Sequence, residues 1–458
     1  MPFDPLIAAT RFGTGLSPVL RPPESAEAMI TRLAGPDTVA ANLPISGFEA
    51  TVPSLATFQA ANAAVREAKG TPREEAAQQA ARALRIEISA VRQHNTLTTF
   101  ARGVAAADGF RERMTAFWAD HFTVKSKAVP QRHLIAPYVE DAIRPHVAGR
   151  FGDMLSAVVL HPMMLTYLEQ VRSVGPDSKA GRRTGRGLNE NLARELLELH
   201  LVGANGGYDQ VDVTQLAELL TGLSYTSRGG FDYRADWAEP GAEVVMGRRY
   251  PAAADLSSVT AALQDLAVRP QTAAHLARKM AVHFVADDPD PALVAGMSDA
   301  YLGSGGDLLA MSSAMLAHPA AWSQQRMKVR RPDLFITAAL RALGTRARAV
   351  LDLRPGAYQQ HITGALALMG QPLESPVGPD GWSEAAADWI TPQGLAARIS
   401  WALRSPAVFV DPLPDPRQFV QTALGGAAPP EVVFAAGAAE KLSDGIGVVL
   451  TSPAFQRI

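Results

Sequence analysis

Apolar residues recur at three- and four-residue spacing through most of this chain, in segments rich in Ala, Leu and Arg, whereas alternating β-branched runs are few and short. The pattern predicts a mainly α protein: a large multi-helix, bundle-like body with long irregular loops and at most a short β-hairpin. Helices are expected over 26–33, 73–93 (opened by Thr71 and Pro72), 110–122, 135–146, 150–160 and 211–221, and again from 255 to 343. Residues 172–187 have no apolar period and five basic side chains, and read as a mobile loop able to close over a site. The hairpin is expected in the irregular stretch holding Phe231-Asp232-Tyr233 and Trp237, and a Pro/Gly/Trp-rich connection, 370–388, sets off the final helices. The chain divides into three regions: an irregular amino-terminal segment packed on the body (1–60), a helical core carrying the candidate site (61–265) and a carboxy-terminal helical region (266–458).

The densest run of reactive groups is 188–200, Leu-Asn-Glu-Asn-Leu-Ala-Arg-Glu-Leu-Leu-Glu-Leu-His. On a helix of about 100° per residue, with Asn191 at zero, Glu195 falls at about 40°, Glu198 at about −20° and Arg194 at about −60°, while the leucines take the other side. One polar stripe therefore carries two carboxylates, an amide and a guanidinium. The plain alternative is a solvated face with an ordinary Glu190–Arg194 pair. His200, opposite the stripe, is expected as a hydrogen-bonded core histidine. A second run, 113–122, aligns Phe110, Met114, Phe117 and His121 on one face, so His121 points into an apolar seam, where burial keeps it neutral. Neutral imidazole suits a metal ligand, a general base or a structural hydrogen bond. Glu140 and Arg144 are spaced as an i,i+4 pair, and His146 and His161 are placed to cap or pack helix ends.

Composition narrows the chemistry. With 43 basic and 45 acidic residues the net charge of −2 offers neither a nucleic-acid surface nor a polybasic membrane patch. The absence of cysteine removes disulfides, thiolate metal sites and a thiol nucleophile. No run of about 18 apolar residues and no basic, apolar leader is present, so no membrane span and a cytoplasmic protein are expected. Zincin, nucleophile-elbow, Walker and dinucleotide motifs are missing, and Gly303-Ser304-Gly305-Gly306-Asp307 reads as a helix start capped by Asp307 rather than a phosphate loop.

Together, the segments 113–122, 142–146 and 189–200 resemble the bacterial family called domain of unknown function 1800, with further matches at Gly206-Gly207-Tyr208, Leu220-Thr221-Gly222, Met369-Gly370-Gln371-Pro372, Gly381-Trp382 and 452–457. The resemblance implies a mainly helical protein without an established activity, a phosphatase-like protein encoded nearby as partner, and importance for Trp118, His121, Asn189, Glu190, Asn191, Arg194, Glu195 and Glu198. The chain departs from the family pattern at Glu169-Gln170, where Asp-Asn is usual, and at Ala238, where a histidine is usual. The reading expected from the residues is a hydrolase of a small or glycan-like substrate. Its catalytic groups are His121, Glu195, Glu198 and Arg194, and its substrate contacts are Trp118, Asn189, Glu190 and Asn191. Either a divalent metal ion activates water, or the carboxylates act as acid and base directly. The alternative is a non-catalytic scaffold in which the polar stripe is a structural network.

Overall fold

The computed structural model describes residues 3–126, 129–226, 230–252 and 255–458. Helices dominate, and the β structure among those residues is two short antiparallel pairs, Leu223–Tyr225 with Phe231–Tyr233 and Glu243–Val245 with Arg248–Tyr250. Two such pairs form where one hairpin was expected. Many of the 33 prolines open helices, as at Pro162, Pro270, Pro291, Pro332, Pro392, Pro416 and Pro430. The first helical position has no partner for an N–H, and the ring sets φ for the first turn. Asp307 accepts from the amides of Leu309 (2.7 Å) and Ala310 (3.4 Å) at the head of Leu308–Ala317, and His161 Nδ1 accepts from Met163 N (3.1 Å) at the head of Pro162–Tyr167. Both caps are as expected.

The buried apolar residues gather in two clusters. The larger joins Phe110–His121, Phe151–Val159, the 191–201 segment, Gln210–Leu219 and the run of helices from Ser257 to Ala317. The smaller joins the last turns of the long Glu74–Ala105 helix to Pro332–Ala342 and the helices after Pro392. No helix among the described residues is long and apolar enough to cross a membrane.

The amino-terminal segment, expected to be irregular outside 26–33, also holds Thr38–Asn42 and the start of Pro53–Ala68, and the helix expected over 73–93 runs from Glu74 to Ala105. Two further stretches depart from the sequence pattern. Residues 135–146 form three short pieces, Ile135–Tyr138, a π-helical Val139–Ile143 and a 3-10 turn Arg144–His146. The widened turn takes i and i+4 out of line, so Glu140 pairs instead with Arg102 (2.6 and 3.0 Å), and Arg144 with Glu112 (2.6 and 2.9 Å) and Asp37 (2.6 and 3.1 Å). The supposed mobile loop 172–187 contains a helix, Lys179–Thr184, capped by the Ser178 hydroxyl. Backbone hydrogen bonds from Val174 to Gly187, Gly175 to Trp237 and Ala180 to Asp236 pin it, and Arg186 stacks over Trp237. Asp236 and Trp237 lie far downstream, beyond the reach of local periodicity.

Candidate functional site

The 189–201 segment begins with the Asn189 side chain accepting from Asn191 N (2.9 Å) and the Ser173 hydroxyl accepting from Asn189 N (3.0 Å). Asn191–Glu195 is α-helical, and Leu196–Leu201 continues as a π-helix. Leu192, Ala193, Leu196, Leu197 and Leu201 are buried, so the apolar side of the stripe seats the segment in the larger core. At the end of the π-helix two carbonyls lack helical partners, and imidazoles from two other helices take them. His121 Nε2 donates to His200 O (3.1 Å) and His275 Nε2 to Leu199 O (3.0 Å). Gly203, at φ +79, completes the turn, where a Cβ would sit 2.7 Å from His275 Nδ1.

His121 is buried among the rings of Trp118, Phe122, Phe151 and His200, at centroid distances of 5.3, 4.5, 6.3 and 5.4 Å. Burial, reinforced by the positive field of Lys279, holds its pKa well below the ordinary value, so the ring is neutral with the proton on Nε2. Nδ1 has no partner among the described residues. No hydrogen bond or ion pair joins His121 to Glu195 or Glu198, and among the described residues no three His, Asp or Glu side chains form a metal-ligand set. Trp118, fully buried at 0 % exposure, packs in the same corner. His200 is buried as expected, but its Nδ1 has no hydrogen-bond partner among the described residues; burial and Lys279 push its pKa down to about 3.

The acids lie in a different environment. Glu195 and Glu198 are half-buried, and around Glu195 the charged groups are Glu198, Asp380 and Arg194. Burial, then the negative charges of Glu198 and Asp380, raise the Glu195 carboxyl above its usual range. Tyr167, also half-buried, is raised by burial, Glu195 and Asp380, and the Tyr208 hydroxyl meets Glu198. The structure thus gathers Glu195 and Glu198 with Asp380, Tyr167 and Tyr208. Glu190 and Arg194 instead enter a surface network, with Arg194 Nη2 donating to Glu190 (2.9 Å) and Gln210 (2.9 Å), and Gln210 (2.9 Å) and Thr214 (2.8 Å) donating to Glu190. Asn191 is exposed.

Sequence reasoning missed Asp380 and Lys279. Asp380 belongs to the 370–388 connection, which is anchored on the Phe110–His121 helix where Trp382 N donates to Asp120 Oδ1 (3.0 Å). Lys279 lies in Pro270–Phe284, mostly within the protein, and no hydrogen bond or ion pair engages its ammonium among the described residues. Burial lowers its pKa, against the pull of Asp120, Glu384 and Asp380. Glu384 closes a buried network by accepting from His283 Nδ1 (2.6 Å), and Asp120 accepts from Arg331 (2.6 Å). Burial pushes the Glu384 carboxyl up, but His283, Arg331 and Lys328 outweigh it and leave it well below the usual range. A lysine with no local partner and an aspartate in a Pro/Gly-rich connection carry no helical signal.

The family model described as "Protein of unknown function (DUF1800)" matches residues 8–457. The chain belongs to that family. No curated protein and no solved structure matches it. Of the family motifs, 113–122 and 189–200 meet at the His121–His200 hydrogen bond, and Gly381-Trp382 docks on Asp120. At the positions where other residues were expected from the resemblance, Glu169 adopts φ +59 and the buried Gln170 donates to Leu220 O (2.7 Å). Ala238 faces Gly222, and Glu239 lies in the field of Glu218 and Asp177.

Proposed function

We propose that this protein is a hydrolase of a small or glycan-like substrate, working through the carboxyl cluster of Glu195, Glu198 and Asp380, with His121 holding the scaffold rather than the substrate. The observation that carries the reading is the half-buried Glu195 carboxyl, raised by burial and by two neighbouring acids while still reached by solvent. An acid with a raised pKa beside a second carboxylate is the division of labour that bond hydrolysis uses. Glu195 donates its proton to the leaving oxygen, Glu198 or Asp380 takes a proton from the attacking water, and Tyr167 and Tyr208 offer hydroxyls and ring faces to a polyol.

The test is hydrolysis of a panel of alkyl glycosides and alkyl esters, whose poor leaving groups need a proton, by wild type, Glu195→Gln and Glu198→Gln. The expected result is turnover by wild type, lost about 10²–10⁴-fold in Glu195→Gln, and a rate that falls on the alkaline side as Glu195 ionises. Equal rates for wild type and Glu195→Gln reject the reading.

A second reading, a scaffold on which a partner such as a phosphatase-like protein docks, is favoured by the Glu190–Arg194–Gln210–Thr214 network, which ties two helices together in the manner of a structural clasp. It predicts no turnover and a stability loss when Glu190 is replaced.

A further inference from the structure

Between the two apolar clusters lies a cavity of about 310 Å³, within the roughly 300–1,000 Å³ range of small-molecule sites. Its walls are mostly apolar, with Phe100, Ala116, Ile135, Leu334, Leu366 and Pro376 among them, and exposed Thr99 and Pro372 mark where the lining reaches the surface. It contains neither Glu195 nor Glu198, so it is separate from the carboxyl cluster.

Arg102, Arg113, Arg144 and Arg331 all line this space. Three of them are matched: Arg102 by Glu140, Arg144 by Glu112 and Asp37, Arg331 by Asp120. Arg113 is not. It shares a helical face with Ala116 and Asp120, which also line the cavity, and is 7 % exposed. Among the described residues it makes no ion pair. Its Nε has no acceptor, and its hydrogen bond is a long one, 3.5 Å from Nη2 to the Arg11 carbonyl. Its other support is the ring of Phe284, 5.1 Å below. Asp333 and Glu384 reach it only through their field; a buried guanidinium without a paired carboxylate is costly, and its planar fork is shaped for one.

We propose that the cavity is a binding site for a small monocarboxylate with an apolar body, its carboxylate seated on Arg113 and its body along the apolar walls. A single negative charge is specified because Arg102, Arg144 and Arg331 are already matched by Glu140, Glu112 and Asp120, which leaves Arg113 as the lining arginine without a paired carboxylate among the described residues. Burial and the neighbouring Arg331 lower the Arg113 pKa to about 10, which still leaves it charged at neutral pH.

The experiment is calorimetric titration of the full chain with sodium octanoate below its micellar range, with 1-octanol as the uncharged control, on wild type, Arg113→Gln and Ala116→Phe. Wild type is expected to bind one octanoate saturably, Arg113→Gln to weaken it at least tenfold while leaving 1-octanol unchanged, and Ala116→Phe, which adds a ring to the cavity wall, to abolish binding of both. Absence of saturable octanoate binding to wild type, an equal loss of octanol and octanoate in Arg113→Gln, or octanoate binding retained in Ala116→Phe each overturns the proposal. Competition by inorganic phosphate overturns the monocarboxylate class. If Arg113→Gln does not fold, Ala116→Phe decides.

Discussion

His121 and Glu195 stand on neighbouring elements, and both belong to segments dense in reactive residues, yet the fold treats them in opposite ways. The imidazole is sealed among aromatic rings, with one nitrogen committed to the His200 carbonyl. The carboxyl is half-open to water, crowded by other acids and without a fixed cation. Burial favours the neutral form of both groups, lowering the pKa of His121 and raising that of Glu195. The lesson is that a perturbed pKa marks chemistry only where solvent and substrate can reach the group; in a dry corner the same shift is a by-product of packing.

The comparison is broken most severely by emptying the dry corner. Trp118→Ala is expected to cost about 3–5 kcal/mol, read from urea unfolding, because the indole is fully enclosed and its removal leaves a cavity. His121→Ala is expected to cost about 2–3 kcal/mol at pH 7, since it removes buried ring volume and strands the His200 carbonyl. The folded imidazole titrates below its ordinary value of 6.5, so its own contribution to wild-type stability is lost as pH falls below that value, and the alanine variant has no such contribution to lose. The deficit should therefore shrink between pH 7 and pH 5; a deficit that grows would contradict a neutral, buried ring.

A smaller effect is expected at Glu243, whose carboxyl is pushed up to about 7 by burial and by its hydrogen bond to the neighbouring acid Glu218. A raised carboxyl stabilises the fold below its unfolded value of 4.5, and that contribution is lost as pH rises through about 7. Glu243→Gln should accordingly flatten the decline between pH 5 and pH 8 and, after allowance for solvent screening, be more stable by about 1 kcal/mol at pH 8. Thermal melts at several pH values check it, and an unchanged slope argues against the raised carboxyl. Smallest are the open-cleft changes: Glu195→Gln and Arg194→Ala should each move stability by less than about 0.5 kcal/mol. A large loss in Glu195→Gln would erase the distinction between cleft and corner and favour the scaffold reading.

Features that depend on near neighbours along the chain were legible in the sequence. The Asp307 and His161 caps, the Glu190–Arg194 pair and the burial of His121 and His200 all derive from spacing and residue type. Three kinds of information were hidden. The π-helical turns at Val139–Ile143 and Leu196–Leu201 alter the angular step, so a uniform projection misplaces the residues beyond them, Glu140 and Arg144 being the clearest case. Groups brought in from far away, Asp380 and Lys279, are ordinary residues in their own segments. And the 172–187 segment owes its order to Trp237 and Asp236, which its own composition does not announce.

Gly381 occupies φ +83, and a methyl group there would come within 2.7 Å of both the carbonyl and the carboxyl oxygens of Asp120. This close approach, with the Trp382–Asp120 hydrogen bond, stitches the 370–388 segment to the end of the Phe110–His121 helix, so the seam serves as a wall of the cavity, through Pro376 and Trp382, and as the source of Asp380 for the acids. An alanine at this position should loosen both at once, and deuterium uptake at the Trp382 amide is where the unpicking would first be seen.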